Sequence, residues 1–243
     1  MNNKYTHLIM FHHAGGNSSI FYDFTKYCSN DFNIIQLEMP GRGKRRLEPL
    51  MYHIDDIIED FSSRIPTNGN IVLFGYSLGA YIAYVISAYC RKKESKRNIL
   101  LVVISNEPIH CRNKFSFLGI GKQEYQQKML LQFIQKLGAI PEWLKNSPTM
   151  LQRFLRVLEA DLYVADSISE EQSFPLDNIP ILAMYGNKDP LMNTPPYRWK
   201  ECTRHKFNLV EVLGGHFILS EKGFEIYKSM IDFIHAITFN HDL

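Results

Sequence analysis

The segment that most constrains the fold of this 243-residue chain is a short apolar run followed at once by Gly75-Tyr76-Ser77-Leu78-Gly79. A helical pattern over Leu78–Lys92 comes directly after it. Glycine at both flanks leaves room for a sharp strand-to-helix turn that holds the serine in a strained backbone conformation. The serine then lies at a helix N-terminus, where the helix dipole and a backbone N–H favour negative charge. This context predicts a nucleophilic Ser77 rather than a plain helix cap.

Short apolar runs alternate with helical patterns along most of the chain, which is typical of a mainly parallel sheet covered by helices on both faces. We predict strands at His7–Phe11, Asn33–Leu37, Ile71–Phe74, Leu100–Ser105, Ile181–Tyr185 and Leu209–Leu213. We predict helices at Ile20–Cys28, Ile54–Ile65, Leu78–Lys92 and Phe224–Ile237. We therefore expect an α/β fold in a single domain, residues 1–243, because such domains commonly reach about 200–250 residues.

One interval, from Asn106 to Asn178, shows no strand and is far longer than an ordinary connection of about 2–6 residues. Apolar residues recur there at helical spacing in two places, at Met129, Phe133 and Leu137 and again at Met150, Phe154, Val157 and Leu158. Two interpretations stay open, namely ordinary core packing or a helical lid inserted at about residues 108–175. Because Met and Phe side chains suit a flexible acyl chain, Met129 and Phe133 are candidate substrate contacts.

Composition argues against several classes of protein. Lys and Arg number 27 against 25 Asp and Glu, so the net charge of +2 is too small for a dedicated nucleic-acid binder. The apolar run Leu8–Phe11 is too short for a signal peptide or a membrane span, so we expect a cytoplasmic protein without membrane contact. The four cysteines form no C-x-x-C pair, and adjacent His12 and His13 would point apart, so we predict no disulfide framework and no metal site.

A nucleophilic serine needs a base and an orienting acid, and both are expected at the carboxyl ends of later strands. His216, in Gly214-Gly215-His216-Phe217, follows the last predicted strand and is the candidate base. Asp189, in Gly186-Asn187-Lys188-Asp189, follows the preceding strand and is the preferred acid. Glu107 also follows a strand and stays open as an alternative acid, whereas Asp161 and Asp166 lie in the expected lid and are weaker candidates.

Two loops follow the first and second predicted strands. His12-His13-Ala14-Gly15-Gly16 is placed to complete an oxyanion hole, for which we expect the backbone N–H groups of Ala14 and Leu78 as donors. The loop Pro40–Arg46 contains four cations and is either a solvated turn or the place where a cation meets a phosphate or an acidic partner. It lacks the G-x-x-x-x-G-K-[ST] spacing of a P-loop.

Taken together, these segments resemble the type II thioesterases of nonribosomal peptide and polyketide assembly lines. The segments that carry the resemblance are His13-Ala14-Gly15-Gly16, Pro40-Gly41-Arg42-Gly43, Gly75-Tyr76-Ser77-Leu78-Gly79, Gly186-Asn187-Lys188-Asp189 and Gly214-Gly215-His216-Phe217. The family usually has Pro before His-Ala-Gly-Gly and reads G-H-S-M-G at the serine, where this chain has His12, Tyr76 and Leu78. These departures touch the approach to the oxyanion hole and the flank of the serine, and so bear on substrate preference.

The resemblance implies an α/β-hydrolase fold with about six or seven strands and an inserted helical lid. It implies removal of acyl groups from the phosphopantetheine arm of acyl- or peptidyl-carrier protein domains, through an acyl-Ser77 intermediate. No cofactor of the enzyme's own is expected, since the substrate carries the phosphopantetheine. Arg42 and Phe217 join Met129 and Phe133 as candidate substrate or carrier contacts.

Three alternatives remain open from the sequence. An esterase or lactonase acting on a free small molecule needs the same three residues and would prefer oxygen esters to thioesters. A non-catalytic binding protein on a hydrolase scaffold would not be labelled by a fluorophosphonate. An acyltransferase would be distinguished only by its product. A monomer is the default expectation, and the acyl group is not defined by the sequence.

Overall fold

Parallel strands form the centre of the molecule. Within residues 6–94, 96–138, 144 and 146–238, which this computed structural model describes, six strands make one sheet in the order β2-β1-β3-β4-β5-β6. The strands are β1 (His7–Phe11), β2 (Asn33–Leu37), β3 (Ile71–Tyr76), β4 (Ile99–Ile104), β5 (Ile181–Gly186) and β6 (Phe207–Val212). Every adjacent pair is parallel, so the carboxyl ends of all six lie at one edge.

Helices cover both faces of this sheet, which explains why β1, β3 and β4 are buried along their whole length. Helices α2 (Ile54–Ser62) and α3 (Leu78–Lys93) pack on the face that carries Ile9 and Leu73. Helices α1 (Tyr22–Cys28) and α7 (Gly223–Thr238) pack on the opposite face, which carries Leu8. A short helix, α6 (Ile218–Glu221), precedes α7. The expected α/β-hydrolase fold is confirmed.

Predicted and observed boundaries differ by two or three residues at four elements: α1 begins at Tyr22 rather than Ile20, β6 spans Phe207–Val212 rather than Leu209–Leu213, and β3 and α2 differ at their ends. Strand β3 continues to Tyr76 rather than ending at Phe74, because Gly75 pairs with both neighbouring strands and its backbone is held in the sheet. Helix α2 ends at Ser62 rather than Ile65. The hydroxyls of Ser62 and Ser63 donate to carbonyl oxygens of the last turn at 3.1 and 2.9 Å, and the following proline disfavours helical backbone at Ile65.

The remaining long helices lie in the interval between β4 and β5. They are α4 (Gln123–Lys136) and α5 (Pro148–Asp166), flanked by short 3₁₀ turns at Ile109–Cys111 and Glu170–Ser173. Their apolar residues form a cluster separate from the two sheet-face cores, with Leu130, Ile134, Leu155, Leu158 and Leu162 buried in it. Among the described residues, no helix is both long and apolar enough to cross a membrane.

Candidate active site

Ser77 lies at the sharp turn between β3 and α3, with φ 54° and ψ −118°. A non-glycine residue is strained in this conformation, and such strain is typical of functional positions. The chain crosses itself so closely here that a Cβ on Gly79 would lie 2.0 Å from the Phe11 carbonyl oxygen, and one on Gly75 would lie 2.2 Å from the Gly79 oxygen. The two glycines of the motif are therefore a steric requirement of the turn.

Two hydrogen bonds hold the Ser77 backbone in this conformation. Its N–H donates to the carbonyl oxygen of Ile104 at 2.8 Å, and the Asn106 side-chain amide donates to the Ser77 carbonyl oxygen at 2.7 Å. Asn106 is a residue that the sequence did not single out. Its position directly after a predicted strand was the available signal, since β4 lies beside β3 in the sheet.

The structure brings Ser77, His216 and Asp189 into one hydrogen-bonded chain. His216 Nε2 lies 3.0 Å from Ser77 Oγ, and His216 Nδ1 lies 2.8 Å from Asp189 Oδ2. Both the imidazole and the carboxylate are buried. Because Asp189 accepts the Nδ1 proton, Nε2 carries the lone pair that faces the serine hydroxyl. The arrangement can accept the Ser77 proton and hold the imidazolium that results.

The other candidate acids are engaged elsewhere. Glu107 Oε1 accepts from the backbone N–H groups of Asn193 and Thr194 at 2.6 and 2.5 Å, so this carboxylate braces the loop after β5. Asp166 accepts from the N–H of Phe115 at 3.0 Å. Asp161 is paired with a buried arginine, as described below. Of the four carboxylates considered, the one within hydrogen-bond distance of the His216 ring is Asp189.

Tyr76 fixes the loop that carries the histidine. Its hydroxyl donates to the carbonyl oxygen of His216 at 2.9 Å, and its ring stacks on the imidazole with centroids 6.1 Å apart. Burial raises the pKa of the Tyr76 phenol, so the group stays protonated and remains a donor. Tyr76, which stands where the family usually has His, thus holds the backbone of His216 in place.

The predicted oxyanion donors both line the cavity into which Ser77 opens. In the described part of the chain, the N–H groups of Ala14 and Leu78 have no hydrogen-bond partner. The loop around Ala14 is held by its own side chains. His12 Nδ1 donates to the His13 carbonyl oxygen at 2.9 Å, and His13 Nδ1 donates to the Ala14 carbonyl oxygen at 2.9 Å. The two peptide planes that flank Ala14 are therefore both restrained.

His12 and His13 are neutral structural groups. Burial, reinforced by the nearby Arg42, lowers the pKa of His12 well below its usual value. Burial also lowers the pKa of His13 to about 4, and His216 and Arg42 add to this effect. His12 Nε2 accepts from the N–H of Met39 at 3.3 Å, so the ring ties the end of β1 to the segment after β2. Neither histidine carries charge at neutral pH.

A cavity of about 560 Å³ opens over Ser77 and His216. Its walls are mainly apolar side chains of α4, α5 and the loop after β6, among them Phe133, Ile134, Leu137, Phe154, Leu158 and Phe217. Phe133 and Phe217 therefore lie where the sequence analysis placed substrate contacts. Met129 does not line the cavity. Leu130 and Ile134 form the buried stripe of α4, and half-buried Met129 lies to its side, so the structure does not place Met129 against the cavity as the sequence analysis expected.

Arg42 does not lie at the entrance, and the expectation that it meets a substrate phosphate or an acidic partner is wrong. Its side chain is 6% exposed, and its guanidinium makes a two-point ion pair with Asp161, which is 0% exposed. The alternative of a solvated turn is equally wrong for this residue. In the sequence, a cation in a glycine-containing loop is typical of an exposed turn. The local pattern could not show the buried partner of Arg42, because Asp161 lies 119 positions away.

In the described ranges, no group of three or more His, Cys, Asp or Glu residues is arranged to hold a metal ion. The cysteines at 28, 90, 111 and 202 are all unpaired thiols. Ser77, His216 and Asp189, with the backbone N–H groups of Ala14 and Leu78, form the hydrolytic arrangement of this region.

Comparison with known proteins agrees with this chemistry. The family model described as "Thioesterase domain" matches residues 6–238. The gramicidin S biosynthesis protein GrsT of Aneurinibacillus migulanus is 28% identical over 229 residues, covering 90% of this chain and 84% of GrsT. Thioesterase PikA5 of Streptomyces venezuelae is 24% identical over 235 residues, covering 95% of this chain and 81% of PikA5.

Among solved structures, the RedJ thioesterase from the prodiginine pathway of Streptomyces coelicolor superposes with a TM-score of 0.80. It is 23% identical and covers 94% of this chain and 90% of its own, a likeness that concerns the fold. The family match spans all six strands, the serine turn and the segments that carry His216 and Asp189. On this basis the chain belongs to the thioesterase family.

Proposed function

We propose that the protein hydrolyses acyl thioesters on the phosphopantetheine arm of acyl- or peptidyl-carrier domains, as an editing enzyme of a nonribosomal peptide or polyketide pathway. The observation that carries the proposal is the Ser77–His216–Asp189 chain, with its 3.0 and 2.8 Å contacts, at the floor of an apolar cavity. Membership of the thioesterase family and the similarity to GrsT and PikA5 support the thioester and the pathway class.

In this mechanism Ser77 Oγ attacks the thioester carbonyl carbon while His216 Nε2 takes the hydroxyl proton. The carbonyl oxygen becomes an oxyanion that accepts hydrogen bonds from the N–H groups of Ala14 and Leu78. Collapse breaks the carbon–sulfur bond, and His216 returns its proton to the departing phosphopantetheine thiolate. Asp189 keeps the imidazole in one orientation throughout and stabilises its cationic form.

The second half of the reaction repeats this chemistry with water. His216 removes a proton from water, which attacks the acyl-Ser77 ester carbonyl, and the second tetrahedral intermediate uses the same oxyanion donors. Collapse releases the carboxylic acid, and the proton returns from His216 to Ser77 Oγ. An apolar wall near the serine favours this route for acyl groups with hydrocarbon chains.

Cationic side chains that line the cavity support a carrier domain as the partner. Arg112, Lys114 and Lys136 lie among the cavity-lining residues, and both lysines are exposed. Cations at this position favour the phosphodiester of the arm and an acidic carrier surface. In the same proposal α4 and α5 form a lid within a single domain, and the protein acts as a cytoplasmic monomer with no cofactor of its own.

The test measures release of the carboxylic acid from acyl-phosphopantetheinyl carrier proteins, from matched short thioesters and from matched oxygen esters. Ser77→Ala is the control variant. We expect thioester cleavage that Ser77→Ala abolishes, with a higher kcat/KM for the carrier-bound form. Cleavage of oxygen esters without thioester cleavage would replace this proposal with an esterase acting on free small molecules.

A further inference from the structure

A buried ion pair joins three parts of the molecule that meet beside the oxyanion loop, His12–Gly16. Arg42 Nη1 lies 2.5 Å from Asp161 Oδ2, and Arg42 Nη2 lies 2.6 Å from Asp161 Oδ1. Arg42 belongs to the loop after β2, and Asp161 belongs to helix α5. The two-point geometry fixes the plane of the carboxylate relative to the guanidinium.

The same carboxylate also holds the oxyanion loop. Asp161 Oδ2 accepts from the backbone N–H of Gly15 at 2.7 Å. That N–H belongs to the peptide that follows Ala14, the candidate oxyanion donor, and Gly15 has φ +72°. Arg42 Nη1 additionally lies 3.4 Å from the carbonyl oxygen of Gly16. Helix α5 therefore sets the direction of the peptide next to Ala14 through a single charged oxygen.

Stability alone is a weak reason for such a pair. Removing two charges from water is costly, and apolar residues of similar volume often serve a fold as well as a buried ion pair does. What apolar residues would not supply is an acceptor for the Gly15 N–H. The same loop contains a useful contrast, because Arg45 pairs with Asp60 of α2 at 2.6 Å in a more exposed position. Among the described residues, the side chains of that second pair make no hydrogen bond to the oxyanion loop.

We propose that Asp161, oriented by Arg42, is a positioning residue for the oxyanion loop, so that hydrolysis depends on how helix α5 is seated. When α5 moves away from the loop, the Gly15 N–H loses its acceptor, and the peptide between Ala14 and Gly15 keeps only the His13 ring as a restraint on its direction. This loss weakens stabilisation of the oxyanion in the transition state and leaves binding of the substrate in the ground state unchanged. The substrate in this inference rests on the proposed function, whereas the role of Asp161 does not.

Two measurements test the inference on the full-length protein. One is kcat and KM for an acyl thioester, and the other is the inhibition constant of an acyl trifluoromethyl ketone, which forms a tetrahedral adduct with a reactive serine. For Asp161→Asn we expect kcat to fall about 10-fold, and for Asp161→Ala about 100-fold, the scale of losing an oxyanion donor's alignment. We expect the ketone's inhibition constant to rise by the same factor while KM stays near its original value.

Two further variants separate positioning from folding. Arg45→Gln disrupts the neighbouring pair and should leave both kcat and the ketone constant unchanged. The double variant Arg42→Met with Asp161→Leu removes both buried charges, so its unfolding midpoint should equal or exceed that of Asp161→Ala. Its kcat should remain low because Gly15 still lacks an acceptor.

The inference is overturned if the double variant regains the original kcat, or if the ketone binds the Asp161 variants as tightly as the original protein. Failure of the proposed function would look different. A wild-type protein that cleaves no thioester would refute the proposed substrate. The ketone comparison would still decide the role of Asp161, because the adduct needs Ser77, His216 and the oxyanion loop but no thioester.

Discussion

The folded protein should lose stability on acidification because of His13. Burial lowers the pKa of this histidine from 6.5 to about 4, so the folded state resists a proton that the unfolded chain accepts. The stabilisation is complete above the unfolded pKa and decreases as the pH falls towards the folded one. Between about pH 7.5 and about pH 5, the difference in proton binding by His13 alone costs about 2 kcal/mol of unfolding free energy.

The assay is urea unfolding at both pH values for the wild-type protein and for His13→Gln. Glutamine retains an N–H donor for the Ala14 carbonyl oxygen but does not titrate in this range. His12, whose pKa is also lowered, contributes a loss in the same direction to both proteins and cancels in the comparison. We expect the acid-induced loss to be smaller in His13→Gln by about 2 kcal/mol. Equal losses in the two proteins would refute the reasoning.

Four more substitutions have expected outcomes. Gly79→Ala places a Cβ 2.0 Å from a backbone oxygen at the end of β1, so we expect a loss of at least about 3 kcal/mol in urea unfolding, and near-wild-type stability would contradict the steric argument. Tyr76→Phe leaves the buried carbonyl oxygen of His216 without its donor, which should lower the unfolding free energy by about 1–3 kcal/mol in the same assay. Asp189→Asn should lower kcat about 10⁴-fold, while Glu107→Gln should lower it far less. A larger loss in the Glu107 variant would exchange the roles of the two acids.

The residues that sequence reasoning located share one property. Ser77, Asp189 and His216 each follow a strand, and the carboxyl ends of parallel strands meet at one edge of the sheet. Local patterns of apolar residues and glycines were therefore enough to bring them together. The alternation of strand and helix patterns is also local, so it was enough to predict the six strands and the helices on both faces of the sheet.

The contacts that sequence reasoning missed join segments that are distant along the chain. Asn106 reaches the Ser77 carbonyl oxygen from the segment after the neighbouring strand β4, and Asp161 reaches Gly15 from 146 positions away. The signal for Asn106 was its position directly after a predicted strand, and the contact of Asp161 with Gly15 has no counterpart in local composition. Arg42 was misplaced because glycine and neighbouring cations are typical of an exposed turn, whereas a distant carboxylate holds its guanidinium in the interior.

The central claim is that Ser77 carries the acyl group during hydrolysis of a thioester. Mixing the protein briefly with an acyl thioester, quenching in acid and mapping peptides by mass spectrometry tests this claim most directly. We predict one acyl adduct, on the peptide and residue of Ser77, that is absent from Ser77→Ala and strongly reduced in His216→Ala, which lacks the base for both half-reactions. Two results would contradict the account. One is thioester turnover by the wild-type protein without an adduct at Ser77, and the other is turnover that is retained in Ser77→Ala.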